Sequence, residues 1–161
     1  MSSVAQRSWS APSVGLLISF VAFACVWPIL ILSRAAVRSI VRGLRSLQIL
    51  KGRTRDLVAK ESYRRWFMHG TSHWLGMDVH DCGGYHDDEG KPRRLRPGMV
   101  LTIEPGLYFS AMDRSVPKKY RGIGIRIVDD VLVTPRGCRV LTSGAPKEIR
   151  EIESLRARAL G

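Results

Sequence analysis

Three of the four histidines in this 161-residue chain fall within twelve positions, in the stretch FMHGTSHWLGMDVHD, residues 67–81. A neutral imidazole offers one nitrogen as a lone pair for a metal while the other still donates a hydrogen bond. His69 and His73 stand four apart and point the same way if that turn is helical. His80 follows beside Asp81, and Glu104 stands at the end of a predicted strand. Imidazoles and a carboxylate together suit first-row divalent ions. A lone histidine is more often satisfied by a backbone carbonyl in a core, but three of them with Glu104 point to a site. On spacing alone the metal is not specified. A structural zinc site from His80, Cys82 and His86 has the ligand types but poor spacing.

The elements that must position these groups can be read from periodicity. Val37, Ile40, Val41, Leu44 and Leu47 recur at helical spacing, with Arg34, Arg38, Arg42 and Arg45 on other faces, which predicts a basic amphipathic helix. Gly52 is the expected break, and Thr54 the expected N-cap of a second helix over RDLVAKESYRRW. A Gly/Asp-rich loop, DCGGYHDDEGKPRR, leads to LRPGMVLTIEPGLYF, where residues 99–103 read as a strand ending at Glu104. In GIGIRIVDDVLVT, Ile123, Ile125 and Ile127 share one face, and Gly124, Arg126 and Val128 the other. PRGC is a turn, and a charged helix from about residue 146 closes the chain. The fold class expected is α+β.

MHGTSHWLGMDVHD, LRPGMVLTIEPGLY and YRGIGIRIVDD, in this order and spacing, resemble the C-terminal half of Xaa-Pro aminopeptidases, metallopeptidases of the pita-bread fold. The resemblance covers residues 43–161, a partial pita-bread domain of antiparallel sheet and helices, and leaves 1–42 as a separate N-terminal segment. It implies peptides with proline at the second position as substrates. It also implies a pair of divalent ions, usually manganese, held by two aspartates, one histidine and two glutamates and sharing a hydroxide nucleophile. By the same resemblance His73 matches the histidine ligand and Glu104 the first glutamate. His69 and His80 match catalytic second-sphere histidines that contact substrate and stabilise the tetrahedral intermediate, and Arg126 an arginine beside the site. Val128 stands where the second glutamate is expected, in GIRIVDD for GIRIEDD. Asp129 is adjacent, but one step along a strand turns a side chain to the other face. The family's two aspartates lie upstream, where this sequence has an apolar run. Two of five ligands do not preorganise a two-ion centre, so the chain alone is expected to be inactive or nearly so. A homodimer or a partner supplying the missing half is expected to cover its open edges and apolar face.

The bulk numbers add one more expectation. Hydrophobic residues at 45% and charged residues at 25% describe a globular chain rather than a disordered one. The net charge of +12 is uneven: no acidic residue precedes Asp56, while eight of the 26 basic ones do. No aromatic interleaving or binding motif turns Arg34, Arg38, Arg42 and Arg45 into a nucleic-acid site, and no nucleic-acid partner is expected. Three scattered cysteines, Cys25, Cys82 and Cys138, form no CxxC pair and fit a reducing compartment. Residues 14–32, VGLLISFVAFACVWPILIL, carry no charge. As a helix they would extend about 28 Å, the thickness of a bilayer's apolar core. The basic residues that follow predict a single-pass membrane protein with its C-terminal domain in the cytoplasm, or a cytoplasmic soluble one if residues 1–42 are a mistaken start. A noncatalytic, membrane-tethered peptide-binding module is the alternative function.

Overall fold

The computed structural model describes residues 30–160. Helix α1, Leu30–Ser46, is the spine. Its apolar stripe splits between two cores. Leu32 and Ala36 pack with Trp74, Leu95, Leu101, Ile103, Val131 and Val133. Val37, Ile40, Val41, Leu44 and Leu47 meet Tyr63, Trp66, Phe67, Leu107 and Phe109. Arg34, Arg38, Arg42 and Arg45 face solvent, as 3.6-residue periodicity requires.

The helix stops before Gly52. Gln48 takes a left-handed φ of 61°, its N–H donates to the Arg45 carbonyl and that of Ile49 to Leu44. These two bonds are those of a Schellman cap, usually built on glycine. Helix α2, Thr54–Ala59, ends the same way, with Glu61 at φ 50° and Ser62 and Glu61 donating to Leu57 and Val58. The helix expected to reach residue 66 is therefore short, and the turns after it place Tyr63, Trp66 and Phe67 in the core. Thr54 does not cap α2; its hydroxyl accepts from Arg45 at 3.0 Å.

Strands β1 (Val100–Ile103), β4 (Asp129–Thr134) and β5 (Gly137–Val140) form an antiparallel sheet in the order β1-β4-β5. Strands β2 (Gly106–Tyr108) and β3 (Gly124–Arg126) pair as a separate antiparallel ribbon. The two are in one register: Ile103 lies opposite Asp129 and Gly106 opposite Arg126, so Glu104 falls opposite Val128. The charged C-terminal helix α3, Ile149–Leu160, has no buried residue.

The antiparallel sheets and helices make the chain α+β, as expected. The expectation of a single membrane span is corrected. Among the described residues no helix is long and apolar enough to cross a membrane. Leu32, last of the apolar run, is 2% exposed inside the protein core, and the helix it lies in carries four arginines over its next turns. The membrane-tethered alternative loses its support with it. Most of residues 14–32 lie outside the described residues, as does Cys25. Helix α1 runs through positions 42 and 43 without a break.

One carboxylate locks the loop after β2. Asp113 accepts from the Trp66 indole at 2.9 Å, from Arg65 at 2.9 Å and from the Ser115 hydroxyl and N–H at 2.6 and 2.9 Å. These bonds, the Ser115 hydroxyl foremost, hold its pKa at about 2, below the ordinary carboxylate value of 3.8. A depressed folded-state pKa gives stability that is complete above the unfolded value and is lost as pH falls through the folded one. Thermal unfolding should therefore show the protein losing stability between about pH 4 and pH 2, with Asp113→Asn less stable at pH 7 and flatter across that window. The cap of α1 predicts the opposite sign: Gln48→Gly should raise stability by roughly 1 kcal/mol in urea unfolding, because glycine adopts a left-handed φ without steric cost.

Candidate active site

Residues 69–73 are not helical; they run extended toward the edge of β1. Thr102 and Glu104 donate their N–H groups to the carbonyls of His73 and Thr71, at 2.9 and 2.7 Å, and Leu75 donates to Val100. Trp74 bridges Leu101 in antiparallel fashion. Strand alternation then sorts the side chains. Trp74, Leu101 and Ile103 enter the core, while His73, Thr102 and Glu104 share the opposite face. The backbone N–H of His73 donates to the Thr102 hydroxyl at 3.1 Å.

His73 and Glu104 meet there. Nε2 of His73 lies 3.5 Å from Oε1 of Glu104, both side chains being mostly covered. Nδ1 of His73 is 2.9 Å from the Trp74 carbonyl. A carbonyl only accepts, so Nδ1 carries the proton and Nε2 of the neutral ring presents its lone pair to the carboxylate. In that neutral form two acceptors face each other. Two ligands bound to one ion at about 2.1 Å lie roughly 3.0–3.4 Å apart in octahedral or tetrahedral geometry, close to the spacing seen. The donor set fits a single divalent cation. Among the described residues no three His, Cys, Asp or Glu side chains are grouped to hold a metal. The same finding agrees with the poor ligand spacing of His80, Cys82 and His86 as a zinc site.

The other predicted residues surround this pair. Nη1 of Arg126 is 3.6 Å from Oε2 of Glu104, its side chain half exposed, so its charge offsets the carboxylate from the solvent side. The Trp74 carbonyl also accepts the Asp81 N–H at 3.1 Å, folding residues 75–80 back so that the His80 ring meets His73 edge to face at 4.3 Å. Asp81 makes no bond to His80; Oδ1 takes the Cys82 N–H at 3.0 Å, and Oδ2 lies where a Cβ on Gly76 would be, 1.8 Å away.

His69 is oriented by a residue that the sequence did not single out. Its Nδ1 donates to the Gly70 carbonyl at 2.7 Å, and Nε2 accepts from the Tyr108 hydroxyl at 2.9 Å. Tyr108 stands two strand steps beyond Gly106, its ring folded over that glycine and against Gly124. The ribbon thus presents Glu104, Gly106 and Tyr108 on one strand and Val128, Arg126 and Gly124 opposite them. The signal available in the sequence was the period-two spacing of Glu104, Gly106 and Tyr108 in EPGLY.

Val128 lies across from Glu104 and is 38% exposed. Asp129 points the other way, 2% exposed, where it accepts from the Thr142 hydroxyl at 2.7 Å and pairs with Lys147 at 3.0 Å. Its carboxylate is committed to that clamp on the far side of the sheet.

Of the two ribbon glycines against Tyr108, Gly106 is the tighter fit. A Cβ at position 106 would meet the Tyr108 hydroxyl at 2.7 Å, so Gly106→Ala should displace the ring and cost roughly 1–3 kcal/mol. The check is the His69 side-chain 15N spectrum, in which Nε2 should lose its hydrogen-bonded shift while His73 keeps its own.

Comparison with known proteins places this geometry. The sequence profile of metallopeptidase family M24 matches residues 28–135. The chain is 55% identical over 119 residues to the Xaa-Pro aminopeptidase of Escherichia coli (strain K12), a match covering 74% of this chain and 26% of that protein. It is 50% identical over 119 residues to the Xaa-Pro aminopeptidase of Haemophilus influenzae, covering 74% and 27%. Among solved structures, the Zn-substituted E. coli aminopeptidase P in complex with product superimposes with a TM-score of 0.83 at 43% identity, over 98% of this chain and 36% of that one. The structure of Pseudomonas aeruginosa aminopeptidase PepP gives 0.79 at 44% identity, over 91% and 34%. The chain therefore spans about a quarter of the length of the curated relatives it matches.

Proposed function

The chain belongs to metallopeptidase family M24, and from that premise we propose that residues 69–128 carry part of a proline-directed aminopeptidase centre on the C-terminal half of a pita-bread domain. The observation that carries this reading is the pair of facing acceptors, His73 Nε2 and Glu104 Oε1 at 3.5 Å, with the proton of His73 committed to the backbone. Peptides with proline at the second position are the substrate class, by analogy with the Xaa-Pro aminopeptidases that the chain resembles.

In this reading His73 and Glu104 hold one divalent ion, for which manganese is the expectation. Such an ion, when bound, polarises a carbonyl and acidifies water. His69 and His80 serve as the catalytic histidines beside substrate and developing oxyanion; His69 can donate there only with Nε2 protonated and released from the Tyr108 hydroxyl, because its Nδ1–H is held by the Gly70 carbonyl. The Gly70 carbonyl and the Tyr108 hydroxyl fix the neutral tautomer and the plane of His69. Contact with the His73 ring orients His80. Arg126 steadies Glu104 and balances its charge when no cation is bound. Val128 occupies the place of a lost carboxylate ligand, and Asp129 cannot take it over from the far face. The remaining ligands come from polypeptide outside the described residues, and without them hydrolysis is negligible.

Binding of Mn2+, followed by the loss of its free-ion EPR signal, tests the reading without requiring turnover. One weak site is expected per chain. His73→Ala should weaken it by at least about tenfold, since even second-sphere losses cost that much. Val128→Glu should tighten it by a similar factor, because it restores a carboxylate directly across from Glu104. A titration in which neither substitution moves the affinity would refute the assignment. Addition of Mn2+ to the chain alone should leave hydrolysis of an Xaa-Pro peptide at the level of His73→Ala.

A further inference from the structure

At the far end of the β2–β3 ribbon lies a cleft of about 570 Å3 lined by Trp66, Met68, Phe109, Met112 and Ile123. It opens onto Tyr108 and Gly124, two members of the face that also carries Glu104. The Trp66 and Phe109 side chains form a buried floor, while Met68 and Met112 stand exposed at the rim. The Arg65–Asp113 pair closes one side.

The polar groups in this wall are already partnered. The Trp66 indole donates to Asp113, which also accepts from Arg65 and Ser115. An occupant gains little there by hydrogen bonding and much by burying apolar surface. Two flexible thioethers at the rim suit an apolar side chain of variable shape. The volume lies within the range of ligand-binding clefts.

Distance decides which part of a peptide arrives there. Glu104 and Tyr108 are four residues apart along an extended ribbon, roughly 13 Å at about 3.3 Å per residue. An aminopeptidase leaves only one residue ahead of the bond it cuts, and one extended residue spans at most about 3.6 Å. A peptide whose scissile carbonyl sits at His73 and Glu104 cannot bring its N-terminal residue to the cleft. The chain running on past that bond covers the distance in three or four residues.

We propose that the Trp66–Met112–Ile123 cleft is a subsite for an apolar side chain on the third or fourth residue after the scissile bond, so that longer, apolar peptides are selected over short or polar ones. The placement rests on the reading of His73 and Glu104 as the bond-cutting end of the site. The subsite is built from different residues, none of them a metal ligand.

The test is equilibrium binding of synthetic peptides to the full chain, measured by calorimetry and by the 13C shifts of the Met68 and Met112 methyl groups. Ala-Pro-Ala-Ala-Leu-Ala is compared with the same peptide carrying Ser at position five, and with one carrying its Leu at position three. The position-five Leu peptide should bind at least about fivefold tighter than the Ser peptide and should move both methyl signals. Met112→Ser and Ile123→Ser, both at exposed positions, should reduce that preference to less than about twofold, and the position-three Leu should confer none. Equal affinity for the Leu and Ser peptides overturns the proposal. So does a preference that survives both substitutions, or sedimentation showing that the substitutions change self-association instead, which would make the cleft a protein contact. The Mn2+ titration contains no peptide, so failure of the metal-site reading and failure of the subsite are read out separately.

Discussion

Everything on the candidate face depends on one antiparallel register. Val100 pairs with Leu132 and Ile103 with Asp129, and the same pairing resumes at Gly106 with Arg126 and Tyr108 with Gly124. Side chains alternate across a strand, so this register fixes in one stroke which groups are buried and which are presented. Leu101, Ile103, Val131 and Val133 are driven inward by the apolar surface they bury against Leu32 and Ala36 of α1. Glu104, Arg126, Val128 and Tyr108 are outward as a consequence. The chemistry is thus held in place by hydrophobic residues one position away from it. Where the pairing passes from sheet to ribbon, the Ile127 N–H reaches the Pro105 carbonyl at a long 3.4 Å, and there Glu104 and Val128 sit.

A second layer of positioning comes from backbone carbonyls rather than side chains. The Trp74 carbonyl takes a proton from His73 and an N–H from Asp81, so a single acceptor sets the tautomer of one histidine and returns the loop that carries the next. Gly70 does the same for His69. Such contacts explain how a segment without regular secondary structure keeps three imidazoles in fixed relation. The aromatic packing of His69 against Phe67 and Tyr108, at 4.9 and 5.4 Å, adds the steric part.

Much of this was legible in the sequence, for reasons that differ between elements. The apolar stripe of α1 and the alternation in residues 129–133 are burial patterns, and burial dominates those elements; in residues 123–126 the alternation marks strand faces only, since Ile123 and Ile125 stay exposed. The association of His73 with Glu104 followed from their chemistry and from the resemblance, and the structure brings them together. Helix ends were not legible, because Gln48 and Glu61 hold left-handed positions where glycine is the usual signal. Spacing of four between His69 and His73 suggested a helical turn; pairing with β1 overrode it and placed His73 by strand alternation instead. Tyr108 escaped notice because its role depends on two glycines, Gly106 and Gly124, that are adjacent only after the ribbon forms. Residues 30–32 ended a run read as a membrane span, yet Leu32 belongs to the protein core.

The clamp on Asp129 has an evolutionary corollary. With its carboxylate shared between Thr142 and Lys147, and Ile103 beside it across the ladder, the strand cannot slip by one residue without expelling apolar side chains and stranding a charge. The neighbouring acid therefore cannot turn its carboxylate to the face that Val128 occupies. A carboxylate facing Glu104 would have to come through the codon of position 128 itself, and valine and glutamate codons can differ by as little as one nucleotide.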